Sequence, residues 1–121
     1  MTILDTNILI EVLKNNPKTI SQLSTVKTPL AISSITAMEL IYGARNKQEV
    51  SRLEQFITKF DLIPLNANIS AIALKLVTSY AKSHNLDIPD ALIAATAIDK
   101  KLDLLTYNSR DFRFIKNLQL L

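Results

Sequence analysis

Short apolar runs alternate with segments of helical period along the whole chain, and few folds accept that alternation. Thr2-Ile3-Leu4 reads as a buried strand that starts almost at the first residue. Further strands are predicted over residues 30–33, 62–65, 104–106 and 118–121. Pro64 places the third of these at a sheet edge, because it cannot donate to a central ladder. Helices are predicted over 8–14, 18–25, from Ser34 or Thr36 past Ile41, then 47–60, 69–84 and 91–100. Asn15-Asn16-Pro17 separates the first two, and Pro89 marks the first turn of the last. Val50, Leu53, Ile57 and Phe60 form one apolar stripe; Ile69, Ile72, Ala73, Leu76, Val77 and Tyr80 form another. Gly43 is the only glycine and suggests a turn or a close helix contact. Strands that alternate with helices favour a mostly parallel sheet with helices on both faces, an α/β/α sandwich. A length of 121 residues, 48% of them hydrophobic, suits one domain spanning 1–121.

In such sheets ligands bind beyond the carboxyl ends of the strands. Asp5 follows the first strand directly, and Glu39 lies about one turn into the helix after the second. Asp90 opens the alanine-rich helix, and Asp111 lies in the loop after Thr106. All four can reach the same sheet edge. Each has an ordinary alternative: Asp5 as a helix cap, Glu39 on an exposed stripe, Asp90 as a first-turn acid, Asp111 in an Asx-turn. Their common placement is the stronger signal. Clustered carboxylates resist ionising together, so a cation is expected among them. Oxygen ligands without cysteine favour Mg²⁺ or Mn²⁺. Thr6, Asn7, Ser34, Thr36, Thr106 and Asn108 are short polar side chains beside these acids. They can fix carboxylate rotamers or touch substrate oxygens, although capping is the simpler role for Ser34 and Asn7.

Net charge is +3, and setting aside the four acids leaves 14 bases against 7 acids, a body at +7. A basic body around an acidic pocket suits a polyanionic substrate. Arg110 and Arg113 flank Asp111; Arg45, Lys47, Arg52 and Lys116 are further candidates for phosphate contact. Zero cysteines exclude disulfides and thiolate metal sites, and a reducing cytoplasm is the plain reading. No apolar run reaches the roughly 18 residues of a membrane helix, and MTILDTN does not begin like a signal peptide. The lone His84 ends a helix and needs no catalytic role. Tyr42, Phe56 and Phe60 suit a core or a dimer interface better than base stacking.

The stretches LDTNILIE, SSITAMELIYGA, IPDALIAATAI and LLTYNSRDF, in that order, resemble the PIN-domain ribonucleases, and within them the VapC-type toxins of toxin–antitoxin pairs. The resemblance runs from Thr2 to the last residues. It implies a three-layer α/β/α sandwich and a Mg²⁺- or Mn²⁺-dependent endoribonuclease, with tRNA the commonest substrate. It carries the family's acids onto Asp5, Glu39 and Asp90. The family's fourth acidic position falls on Asn108, with Asp111 three residues later as a substitute. It also implies a homodimer and a cognate antitoxin that inserts a peptide into the acidic pocket.

Two other functions compete. An RNA-binding or regulatory protein with a degenerate site is favoured only by Asn108. A metal-dependent phosphatase with Asp5 as nucleophile would want an acid where Asn7 stands.

Overall fold

Five strands form one sheet in the order β3-β2-β1-β4-β5. They are β1 (Thr2–Leu4), β2 (Leu30–Ser33), β3 (Asp61–Ile63), β4 (Asp103–Leu105) and β5 (Gln119–Leu120) in a computed structural model that describes residues 1–121. Every neighbouring pair is parallel, with Thr2 opposite both Leu30 and Asp103 in the centre. All strands therefore end at one edge. The connecting helices are α1 (Thr6–Leu13), α2 (Pro17–Ser24), α3 (Ser34–Tyr42), α4 (Lys47–Ile57), α5 (Ala67–His84) and α6 (Ile88–Lys100).

Successive side chains of a strand point to opposite faces, and this divides the core in two. Ile3, Ala31 and Leu104 join a cluster with Ile69, Ala73 and Leu76 of α5 and Ala91, Ile93, Ala94, Ala95 and Ala97 of α6. Leu4, Ile32 and Leu105 join Ile8 and Leu9 of α1, Ala37 and Leu40 of α3, and Leu53 of α4. The small side chains of α6 let that helix lie close to the sheet. The layers are thus α/β/α, as the alternation predicts.

The structure shifts several local expectations. β3 ends at Ile63, so Pro64 lies just outside the strand; β3 is an edge strand as expected. α1 begins at Thr6 because Asp5 is the cap, its side chain accepting from the Thr6 N–H. α3 is capped by Ser33, the last residue of β2. α6 begins at Ile88 because Asp87 caps it and accepts from the Asp90 N–H at 2.9 Å. Gly43 is the C-cap of α3 at φ −77°, and an added Cβ would meet only carbonyl oxygens at 3.6 Å. It marks a turn but no close helix contact. Tyr42 is 94% exposed and plays no part in the core, whereas Phe56 and Phe60 pack edge to face, centroids 5.3 Å apart, against the smaller cluster. His84 stacks on Phe114, centroids 4.2 Å apart. No helix is long and apolar enough to cross a membrane.

Candidate active site

The carboxyl edge of the sheet gathers the predicted acids. Asp5 leaves β1, the middle strand, and is only 5% exposed. Its two oxygens are both engaged: Oδ1 accepts from the Thr6 N–H at 2.8 Å, and Oδ2 accepts from Thr106 Oγ1 at 2.7 Å. Helix capping and site building are therefore one role for this residue, not alternatives.

Thr106 is held in turn. Its Oγ1 accepts from the Asn108 N–H at 2.9 Å and from Asn7 Nδ2 at 3.4 Å. A hydroxyl has one proton and two lone pairs. With both lone pairs taken, the Thr106 proton has only Asp5 left to serve. The other end of the Asn7 amide, Oδ1, accepts from the Tyr107 N–H at 3.3 Å. Asn7 thus clamps the loop after β4 and does not cap a helix, the simpler role predicted for it.

Glu39 projects from α3 and is exposed, yet Thr6 Oγ1 donates to its Oε1 at 2.8 Å. Thr6 Oγ1 also lies 3.0 Å from the buried Thr36 Oγ1. Residue 6, next to Asp5, therefore fixes the second acid. Ser34 starts α3 without a cap bond of its own. Asp111 closes a short 3₁₀ turn (Ser109–Asp111), its N–H bonded to the Asn108 carbonyl at 2.9 Å.

Burial and neighbouring charges shift two of these carboxyls. Burial pushes the Asp5 carboxyl above the usual range against the two hydrogen bonds it accepts, and the charges of Asp111 and Asp87 add to the rise. Asp90 is pushed up to about 7, first by desolvation and then by the charges of Asp87, Asp5, Asp111 and Glu39. The charges of the other three predicted acids thus all act on Asp90. Asp87 is a fifth that the sequence reading missed. The signal was present: an acid three residues before Asp90, with Pro89 between, is a cap followed by a first-turn acid.

No three acidic or imidazole side chains stand at the spacing of a closed metal cage. The donor set nevertheless fits a hard divalent cation: it is oxygen-only and runs from the buried Asp5 through the half-buried Asp90 to the exposed Glu39 and Asp111. The arginines stand beside it. Arg110 and Arg113 line a cleft of about 420 Å³ with Tyr107, Asn108, Ser109 and Asp111. Arg45, by contrast, is tied to Glu49 at 3.2 Å.

Acids gathered beyond the carboxyl edge of a short parallel sheet, between helical layers, follow the plan of a hydrolase domain of the α/β/α class. The chain belongs to the PIN domain family, whose model matches residues 2–117. It is 33% identical over 123 residues to ribonuclease VapC19 of Mycobacterium tuberculosis, covering 98% of each chain. It is 31% identical to the tRNA(fMet)-specific endonuclease VapC of Shigella flexneri, covering 96% of this chain and 92% of that one. Among solved structures, the Rickettsia felis VapBC2 complex bound to a DNA fragment from its promoter superposes with a TM-score of 0.83 at 31% identity. That match covers 99% of this chain and 96% of the other.

Proposed function

We propose that residues 1–121 form one catalytic domain, a VapC-type toxin that hydrolyses RNA phosphodiester bonds, in the cytoplasm, with Mg²⁺ or Mn²⁺. The observation that carries this reading is the gathering of Asp5, Glu39 and Asp111 close enough to Asp90 for their charges to act on it, with Asp5 and Glu39 held by hydroxyls at the carboxyl edge of the sheet. Asp5, Glu39 and Asp90 would hold the ion, with Asp111 completing its ligands or orienting water. The ion supplies Lewis acidity, which makes water a stronger nucleophile and offsets charge on the phosphate.

The chain's own residues prepare that reaction. Thr106 and the Thr6 N–H fix the Asp5 rotamer, and the Thr6 hydroxyl fixes Glu39. Arg110 and Arg113 add positive charge beside Asp111 for the polyanionic backbone. A nucleophilic role for Asp5 is disfavoured, since both its oxygens are engaged and the side chain is buried. A cognate antitoxin would inhibit the enzyme by covering the acids, and a homodimer would set two such sites in one particle.

The degenerate-site reading rests on Asn108 alone, and Asn108 contributes its N–H to the Thr106 network. The deciding experiment is RNA 5′-end mapping in bacteria after brief induction of the chain, beside Asp90→Asn. New ends at one or a few positions, absent from the variant, support a specific endoribonuclease and name its RNA. Equal ends from both proteins, with both folded, would overturn the role of Asp90. RNA binding without cleavage at any Mg²⁺ or Mn²⁺ concentration would establish the degenerate site.

A further inference from the structure

Tyr107 occupies an unusual position. It follows Thr106 in the loop that holds Asp5, and it lines the cleft that also contains Arg110, Asp111 and Arg113. Its ring is held from behind. The hydroxyl is 2.6 Å from Thr19 Oγ1 and donates to Gln22 Oε1 at 3.0 Å, both on α2. Thr19 is the one buried residue of that helix. The backbone N–H of Tyr107 is fixed by Asn7 at 3.3 Å. Despite three anchors the residue remains 45% exposed. An aromatic ring with its polar tip already bonded and its body open to solvent has little conformational freedom left to lose on binding a ligand.

The rest of the cleft has the complementary chemistry. The ion pairs of the protein are Lys14–Glu11, Arg45–Glu49 and Lys100–Asp99, so neither Arg110 nor Arg113 is committed to a carboxylate. Both guanidiniums retain their donors for a phosphate. Asn108 presents an amide that can read a base edge. Asp111 lines the same cleft, and its charge acts on Asp5 and Asp90. The cleft adjoins the Asp5 end of the site through Asn108, whose N–H donates to the Thr106 hydroxyl that in turn donates to Asp5, and about 420 Å³ is room for a nucleotide.

We propose that this cleft is a nucleotide subsite beside the cleavage centre, where an unpaired RNA base stacks on the Tyr107 ring and its phosphate lies between Arg110 and Arg113. The inference rests on the ribonuclease reading and adds to it the residues that would hold one unpaired nucleotide: Tyr107 for its base, Arg110 and Arg113 for its phosphate. Duplex RNA keeps its bases stacked and cannot fill such a site.

The test is binding, read apart from cleavage. A short fluorescein-labelled single-stranded oligoribonucleotide is titrated with the full chain, with Ca²⁺ in place of Mg²⁺, and Kd is followed by anisotropy. Tyr107→Leu should weaken binding about ten-fold or more, the usual loss when a stacking ring is removed. Tyr107→Phe keeps the ring and should stay within about two-fold of wild type on the same stacking argument. Arg110→Ala combined with Arg113→Ala should lower the slope of log Kd against log salt by roughly 0.7, the value for one phosphate on a single strand. Equal affinity for wild type and a folded Tyr107→Leu overturns the subsite, as does a Phe variant as weak as the Leu variant. An unchanged salt slope in the arginine variant overturns the phosphate contact. If wild type binds no RNA at all, the ribonuclease reading falls with it; if wild type binds and only the variants match it, that reading stands and the subsite alone is lost.

Discussion

Thr106 and Asp5 are 101 residues apart in sequence, and the Thr106 hydroxyl donates to Asp5 Oδ2 over 2.7 Å. This bond ties the end of β4 to the end of β1. Thr106→Val keeps the shape and removes the donor. Cleavage should fall roughly 10- to 100-fold, the usual effect of losing a group that orients a metal-binding side chain. Thr106→Ser should recover most of it. Steady-state cleavage of a mapped RNA, with Mn²⁺ affinity measured alongside by calorimetry, checks both variants.

Asp90 makes stability depend on pH in a defined direction. Its carboxyl is raised from 3.8 to about 7 in the fold, so the folded state binds the proton more tightly than the unfolded chain. The stabilisation is complete below pH about 4, the ordinary carboxyl range, and is lost as pH rises towards 7. Metal-free wild type should therefore melt at progressively lower temperature across that window. Asp5, also raised, acts in the same direction. Asp90→Asn should flatten the decline and, at pH 7, melt several degrees higher, while losing roughly 100-fold or more of cleavage. Melting curves at a series of pH values decide this.

Asp87 offers a separate handle on the same group. It caps α6 and is the largest charge acting on Asp90. Asn caps helices about as well as Asp. Asp87→Asn should thus preserve the fold and lower the Asp90 pKa. An NMR titration of the Asp90 side-chain carbon in both proteins measures the change; an unchanged midpoint would remove Asp87 from the electrostatic account.

A divalent ion should reverse the repulsion. At a concentration of 100 times its Kd, a ligand specific for the folded state contributes about 2.7 kcal/mol. For a chain of this size that is a rise of roughly ten degrees in Tm. Mn²⁺ should produce such a rise in wild type and a much smaller one in Asp5→Asn. Equal shifts would argue against a carboxylate metal site.

The alanines of α6 set its distance from the sheet. Ala94 is fully buried in the larger core cluster. Ala94→Leu inserts bulk where none fits and should cost about 1–3 kcal/mol. Because Asp90 rides on the same helix, cleavage should fall as well. Urea melts and cleavage assays on the one variant test both effects.

Most of the architecture was legible before any coordinates. The strand over residues 2–4 and the strand over 30–33 are where the apolar β-branched runs predict them. The third strand lies at the edge, as Pro64 suggested, although Pro64 itself stands just past its end and removes no donor from the ladder. The acids at strand ends were legible for the same reason: one polar residue after an apolar run is conspicuous. What stayed hidden depends on long-range pairing. Asn7 looks like a capping residue until the loop after β4, about a hundred positions away, supplies Thr106 and Tyr107. Asp87 looks like a cap and is one, so its second effect, on Asp90, emerges only from distance. The tether between Tyr107 and Thr19 has no local signature at all.

The parallel sheet has a consequence for when the acids can act. Residues 5, 39, 90 and 111 meet only because β1 sits between β2 and β4, and β4 is made of residues 103 to 105. Contacts of such high sequence separation form late and slowly. A chain still emerging from the ribosome, with its final quarter unmade, has Asp5 and Glu39 but neither Thr106 nor Asp111 to complete the arrangement. Truncated products of interrupted translation would be inert for the same reason. The fold thus withholds its chemistry until residues 103 to 111 have joined the sheet and its carboxyl edge.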